Sequence, residues 1–225
     1  MDGKPPKYVL WGYLAVTIVA IALFNAYELQ PEAFLSQTDR LAQSLSWSQV
    51  LIACVFAVAF AGIVFFSVPV APLFCAASGY LFGVAEGTAM AVLATTAGSI
   101  AAFHFFRKTI EAPAGLRKLE VKNLFVVLLL LRCSPWFPGP LINVYCGISR
   151  VRSSVFFAST LFGTFPLICV YTLAASKLRG QLDMSLLYSP EIIASLTVLS
   201  VISISGFLPP LRAVANYLRA LRLNA

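Results

Sequence analysis

The sequence predicts an all-α integral membrane protein of about five transmembrane helices and two re-entrant helical hairpins. Three observations carry that expectation. Of the 225 residues, 60% are hydrophobic and only 11% are charged, against about 45–50% and about 25% in soluble globular chains. The apolar residues gather in blocks near the ~20 residues that cross a bilayer. Those blocks lack the period-2 alternation of barrel strands, which leaves helices to satisfy backbone groups in hydrocarbon.

The blocks follow in order. The first runs over 8–27 and reads as an uncleaved anchor, since its apolar run is too long for a signal peptide and lacks an A-x-A site. Residues 28–47 are mixed and polar, with Glu28, Glu32, Asp39 and Arg40. Further spans are expected at 49–68, 88–106, 151–176 (with Pro166 inside it) and 191–208. A basic amphipathic segment, 211–223, carries Arg212, Arg219 and Arg222. It suits either the membrane surface or a solvated tail helix. The organisation is therefore an anchor and polar connector at 1–48, a core at 49–180, and a last span with a basic tail at 181–225.

Two apolar stretches do not read as clean spans. One is 67–83, SVPVAPLFCAASGYLFG, and the other is 124–147, LFVVLLLLRCSPWFPGPLINVYCG. Proline lacks an N–H and clashes with the preceding turn, so helices break or kink at it. Each stretch is either one kinked helix or a hairpin that enters the membrane and returns. The pattern occurs twice, which favours hairpins: Pro69 and Pro72 lead to Gly79 and Gly83, and Pro135 and Pro138 lead to Asn143 and Gly147. Interrupted apolar segments at corresponding places in two halves point to a transporter site.

Arg132 follows eight apolar residues, which places it about 12 Å into a bilayer. An arginine at that depth faces a cavity or a partner. It either forks onto phosphate oxygens or bonds the broken carbonyls of its own hairpin. A half-helix restarting at Pro140 would aim free N–H groups at the same place. Asn143, one turn further in, adds a donor and an acceptor. Trp136 at the hairpin tip and Pro69, Pro72, Pro135 and Pro138 complete the candidate binding set.

The run Arg132-Cys133-Ser134-Pro135-Trp136-Phe137-Pro138, continued by Asn143 and Gly147, resembles the signature R-x-x-P-x-x-P-x-x-x-x-N-x-x-x-G of the DedA/VTT superfamily, also called SNARE-associated Golgi proteins. The stretch from Pro69 to Gly83 is similar to that family's first hairpin. Gly87, Gly98 and Arg107 sit where its next helix carries small residues and a terminal arginine. The resemblance covers roughly residues 60–180. It implies an inverted-repeat arrangement of two re-entrant hairpins facing one another. It also implies movement of a lipid or lipid phosphate, such as undecaprenyl phosphate or a phospholipid, by a flippase or scramblase. Classical members carry acidic residues around the first hairpin for proton coupling, whereas 67–83 contains no Asp or Glu and Glu86 is the nearest. Passive scrambling or another energy source is open.

Other chemistry has little support in the sequence. His104, three residues before Arg107, is either a titrating group or a hydrogen-bonded interfacial residue. Glu86, His104 and Arg107 are the candidates for a proton or charge role. Cys54, Cys75, Cys133, Cys146 and Cys169 lie scattered in apolar segments, where cysteine acts as a small hydrophobe. No P-loop, nucleotide fingerprint, zinc motif or catalytic triad is present, so neither an enzyme, a cofactor nor a metal is expected. The net charge of +7 comes from loop lysines and arginines and is no nucleic-acid signal. The expected partners are membrane lipids and, in an oligomer, further copies of the chain.

The expected location is a bacterial inner (plasma) membrane. The basic loop 107–122, Arg150, Arg152 and the tail fall on the cytoplasmic side if the second hairpin re-enters. Lys4 and Lys7 place the N-terminus inside, whereas counting five spans places it outside, so the parity is open. Rival readings are a membrane assembly or envelope-maintenance factor and a small-solute or ion transporter. A central polar cavity open to the lipid between helices favours lipid movement, a sealed, water-lined pore favours a small solute, and a packed core with no cavity favours assembly.

Overall fold

The computed structural model describes residues 7–26, 49–68, 70–110, 123–135 and 137–178, with short pieces at 35–37, 40, 190, 194–195 and 197–198. Its helices are α1 Lys7–Ala26, α2 Gln49–Phe65, α3 Ala71–Phe82, α4 Val84–Thr109, α5 Leu124–Cys133, α6 Gly139–Ile148 and α7 Ser153–Ser176. No strand occurs among the described residues. The tail expected at 211–223, most of the span expected at 191–208, the loop 111–122, Pro69 and Trp136 lie outside them. Helices α4 and α7 are each long and apolar enough to cross a membrane. Helices α3, α5 and α6, with 12, 10 and 10 residues, reach only ~15–18 Å.

The helix ends follow from local chemistry. Ser67 takes a left-handed φ of 59°, its N–H bonds Val64 O, and the N–H of Val68 reaches back to Ile63 O at 3.1 Å. That is a Schellman ending without the usual glycine. Side chains of α1 satisfy the carbonyls beyond it: Tyr13 Oη donates to Phe65 O at 2.7 Å and Thr17 Oγ1 to Phe66 O at 2.8 Å. The same ending recurs after α6, with Arg150 at φ 54° and Val151 N bonded to Cys146 O.

Pro72 occupies the first turn of α3 and Pro140 that of α6, where a missing N–H removes no hydrogen bond. The stretch 67–83 therefore holds a turn and one helix instead of two helical limbs. Gly83, at φ 84° and ψ 178°, joins α3 directly to α4, in a conformation that L side chains rarely adopt. The helix expected from residue 88 accordingly begins at Val84. The stretch 124–147 does break in two, at 134–138, and α6 restarts at Gly139–Pro140.

The two halves repeat. Sixty-eight residues separate Pro72 from Pro140 and Gly79 from Gly147, so the structural partner of Pro72 is Pro140 and not Pro138. Contacts repeat in step. Helix α2 packs on α4 as α5 packs on α7, and α3 packs on α7 as α6 packs on α4. A Cβ on Gly79 would collide with the backbone of Thr172 in α7, and one on Gly147 with the backbone of Phe103 in α4. One apolar core gathers around Phe60, Cys75, Ala91 and Ile168, the other around Leu128, Ile142, Cys146 and Phe156.

Large apolar side chains lie on the outside as well as in the cores, and several hydroxyls lie inside. Trp11, Val58, Leu93 and Phe162 are more than 60% exposed, while Ser78, Ser159, Thr160 and Thr172 are fully buried. The buried hydroxyls are held within the bundle: Thr88 and Thr172 share a 2.6 Å hydrogen bond between α4 and α7, and Thr160 donates to Phe156 O.

Candidate functional site

Arg132 closes α5 immediately before the break that Pro135 imposes. Its side chain is only 6% exposed. Nη2 donates to Asn143 Oδ1 at 2.9 Å, Cζ lies 4.9 Å from the centroid of the Phe156 ring, and Nε is buried with no partner. Asn143, 1% exposed, is carried by α6, whose start is fixed by the Pro140 turn. The break therefore folds Arg132 and Asn143 onto one another.

Both side chains line a cavity of about 460 Å³ between the halves, a volume in the range of small-molecule sites. Pro72 reaches it from the first half, and Pro135 and Pro138 from the second. The structure thus brings together Arg132, Asn143, Pro72, Pro135 and Pro138. The first-turn residues of α3 and α6 also line it, and neither helix has a side-chain cap. Two positive helix ends and one guanidinium converge on one space. Of the described lining residues Arg132 alone is charged, and none is acidic.

Several expected residues lie elsewhere. Gly79, Gly83 and Gly147 are absent from the wall; Gly79 and Gly147 serve helix crossings and Gly83 a turn. Glu86 is exposed in the first turn of α4, where a carboxylate favours the helix dipole. His104 is exposed, with its ring edge on Phe103. Arg107 donates from Nη1 to Val151 O at 3.1 Å and tethers the end of α4 to the start of α7. None of these three lines the cavity.

Sequence reasoning missed Thr95, Ser99, Tyr171 and Phe156. Thr95 and Ser99 line the cavity, and Thr95 Oγ1 is buried without a partner. Their four-residue spacing puts both on one face of α4, and that was the available signal. Phe156 is brought to Arg132 only by the α5–α7 packing and left no local spacing to read.

Comparison with known proteins finds relatives of this chain. The VTT domain profile matches residues 68–177, which contain helices α3 to α7. Uncharacterized protein YqeD of Bacillus subtilis (strain 168) is 31% identical over 181 residues, covering 75% of this chain and 83% of the relative. No solved structure matches.

Proposed function

Given that the chain belongs to the VTT-domain (DedA) family, we propose that it is an integral membrane transporter that moves a lipid with a phosphate head group between leaflets. The exposed large apolar side chains support insertion in a bilayer. In this reading α4 and α7 are spans, and the short helices α3, α5 and α6 enter the membrane from its two sides without crossing it. The bacterial plasma membrane is the proposed location.

One observation carries the reading. The cavity holds a buried arginine whose Nε has no partner, beside the uncapped N-termini of α3 and α6, with no carboxylate on its described wall. Such a site favours an anion. A phosphate supplies several acceptor oxygens, which suit a guanidinium fork and helix N–H groups together. The head group would sit here while acyl or isoprenyl chains remain in hydrocarbon. Nothing in this scheme breaks a covalent bond, so the protein is a transporter and not an enzyme.

Head-group translocation in proteoliposomes tests this, with labelled phospholipid and undecaprenyl phosphate compared side by side. Wild type should move at least one of them, and Arg132→Ala should fall to the level of empty vesicles at matched reconstitution. Wild-type vesicles no faster than empty ones would overturn the lipid reading and turn attention to small anions, then to partner proteins.

A further inference from the structure

Four side chains form a continuous ladder from the cavity to the end of α4. Arg132 Cζ lies 4.9 Å from the Phe156 centroid. The Phe156 and Phe103 rings are stacked at 4.4 Å with 16° between their planes. Arg107 Cζ lies 5.6 Å from the Phe103 centroid. Each guanidinium therefore sits against an outer member of a ring pair, an arrangement that draws on the ring quadrupoles. Phe156 and Phe103 are both 1% exposed or less, so neither ring has room to turn away.

The other end of the α4–α7 crossing shows that stacked rings are not a requirement of its packing. Sixty-eight residues before Arg132 stands Val64, and sixty-eight before Phe156 stands Thr88. Sixty-nine residues after Phe103 stands Thr172. The Thr88–Thr172 hydroxyl pair, at 2.6 Å, joins the start of α4 to the end of α7, as the ring pair joins the end of α4 to the start of α7. One end of the α4–α7 crossing is thus closed by two small hydroxyls and the other by two stacked rings, which Arg132 and Arg107 flank.

We infer that Phe156, backed by Phe103, is a positioning residue for Arg132. The ring fixes the guanidinium through a contact that uses none of its N–H groups, so Nε is left without a partner while Nη2 is committed to Asn143. Arg107 holds the far end: its Nη1 bonds Val151 O and reaches Ser153 Oγ at 3.5 Å, one turn before Phe156. Loss of the ring would leave Arg132 in place as a charge but free to rotate, and head-group binding would weaken.

The binding arm of the test rests on the function proposed above; a spectroscopic arm does not. Purified full-length protein is labelled with ¹⁵N-arginine, and the Arg132 Nε–H signal is assigned by its loss in Arg132→Lys. A guanidinium over a ring shows a ring-current displacement of that signal. Phe156→Leu should move it toward the ordinary arginine position, and Phe156→Tyr should keep it displaced. Dihexanoyl phosphatidic acid is then titrated against each protein. Phe156→Leu should bind about ten-fold more weakly than wild type, and Phe156→Tyr within about two-fold of it. An unmoved signal in a folded Phe156→Leu protein, or equal binding by that variant and wild type, overturns the inference. If wild type binds no probe, the head-group reading fails, and the Nε–H signal by itself decides whether the ring holds the arginine. Should Phe156→Leu not fold, Phe156→Met, which also lacks a ring, gives the same two readouts.

Discussion

Arg132 and Asn143, on opposite sides of a broken helix, are joined by a 2.9 Å hydrogen bond from Nη2 to Oδ1. The bond does two things. It supplies a buried cation with an acceptor, and it fixes the fold of the 134–138 break. Asn143→Leu removes the acceptor and keeps the volume. A hydrogen bond to a charged group contributes roughly 1.5–3 kcal/mol, so this variant should be less stable by about that much. Thermal unfolding of detergent-solubilised protein measures the loss, and translocation should fall with it.

Arg132→Lys separates charge from shape. The ammonium keeps a positive charge but has no planar fork and stacks poorly on Phe156. Translocation should drop to under roughly a tenth of wild type, a change equivalent to about 1.4 kcal/mol. Proteoliposome rates at matched protein content give the answer. Retention of the full rate by the lysine variant would show that a point charge suffices.

Gly79 and Gly62 make a contrasting pair. A Cβ on Gly79 would meet the Thr172 backbone, which cannot swing aside, whereas one on Gly62 meets nothing within 4 Å. Gly79→Ala should cost roughly 1–3 kcal/mol, as overpacked sites do. Gly62→Ala, inside α2, should be neutral or stabilising by up to about 1 kcal/mol. Chemical or thermal denaturation of the two variants should give opposite signs.

Tyr13 tests how α1 is held. Its hydroxyl donates to Phe65 O and lies 2.9 Å from Ser67 Oγ, while its ring stacks on Phe66 and Phe105. Tyr13→Phe removes the hydroxyl alone and should cost about 0.6 kcal/mol, the usual worth of an interhelical hydrogen bond in a membrane protein. Tyr13→Ala removes the ring as well and should cost several-fold more. Limited proteolysis of residues 27–48 would report release of α1 in the second variant.

Much of this was readable in the sequence, for identifiable reasons. Pro135 and Pro138, three residues apart, remove two backbone donors within one turn, so the 134–138 interruption was legible, and Pro140 suits the first turn of the helix that restarts. Long apolar runs set α2 and α7 close to their observed bounds. The first stretch misled because Pro72 starts a helix as readily as it ends one. Gly83 misled as well, since one residue in an unusual conformation sufficed to join α3 to α4. The true partner of Pro72 was hidden because the halves share few side chains; Pro138 offered the better spacing match and Pro140 the better structural one. Phe156 and Phe103 were illegible in principle, since stacking across helices leaves no period in the chain.

The exchange of partners between the halves also bears on the order of synthesis. Helix α3 finds its deepest seat, Gly79 against Thr172, on a helix that is translated much later. The first trio leaves the ribosome before that surface is made, with α3 seated only on its own half, where Gly87 of α4 lies against the backbone of Ser78. Insertion must therefore hold α2, α3 and α4 in a provisional arrangement until α7 arrives. A truncation after residue 110 removes the very surface α3 requires, so such a fragment should be degraded unless the remainder of the chain is supplied separately.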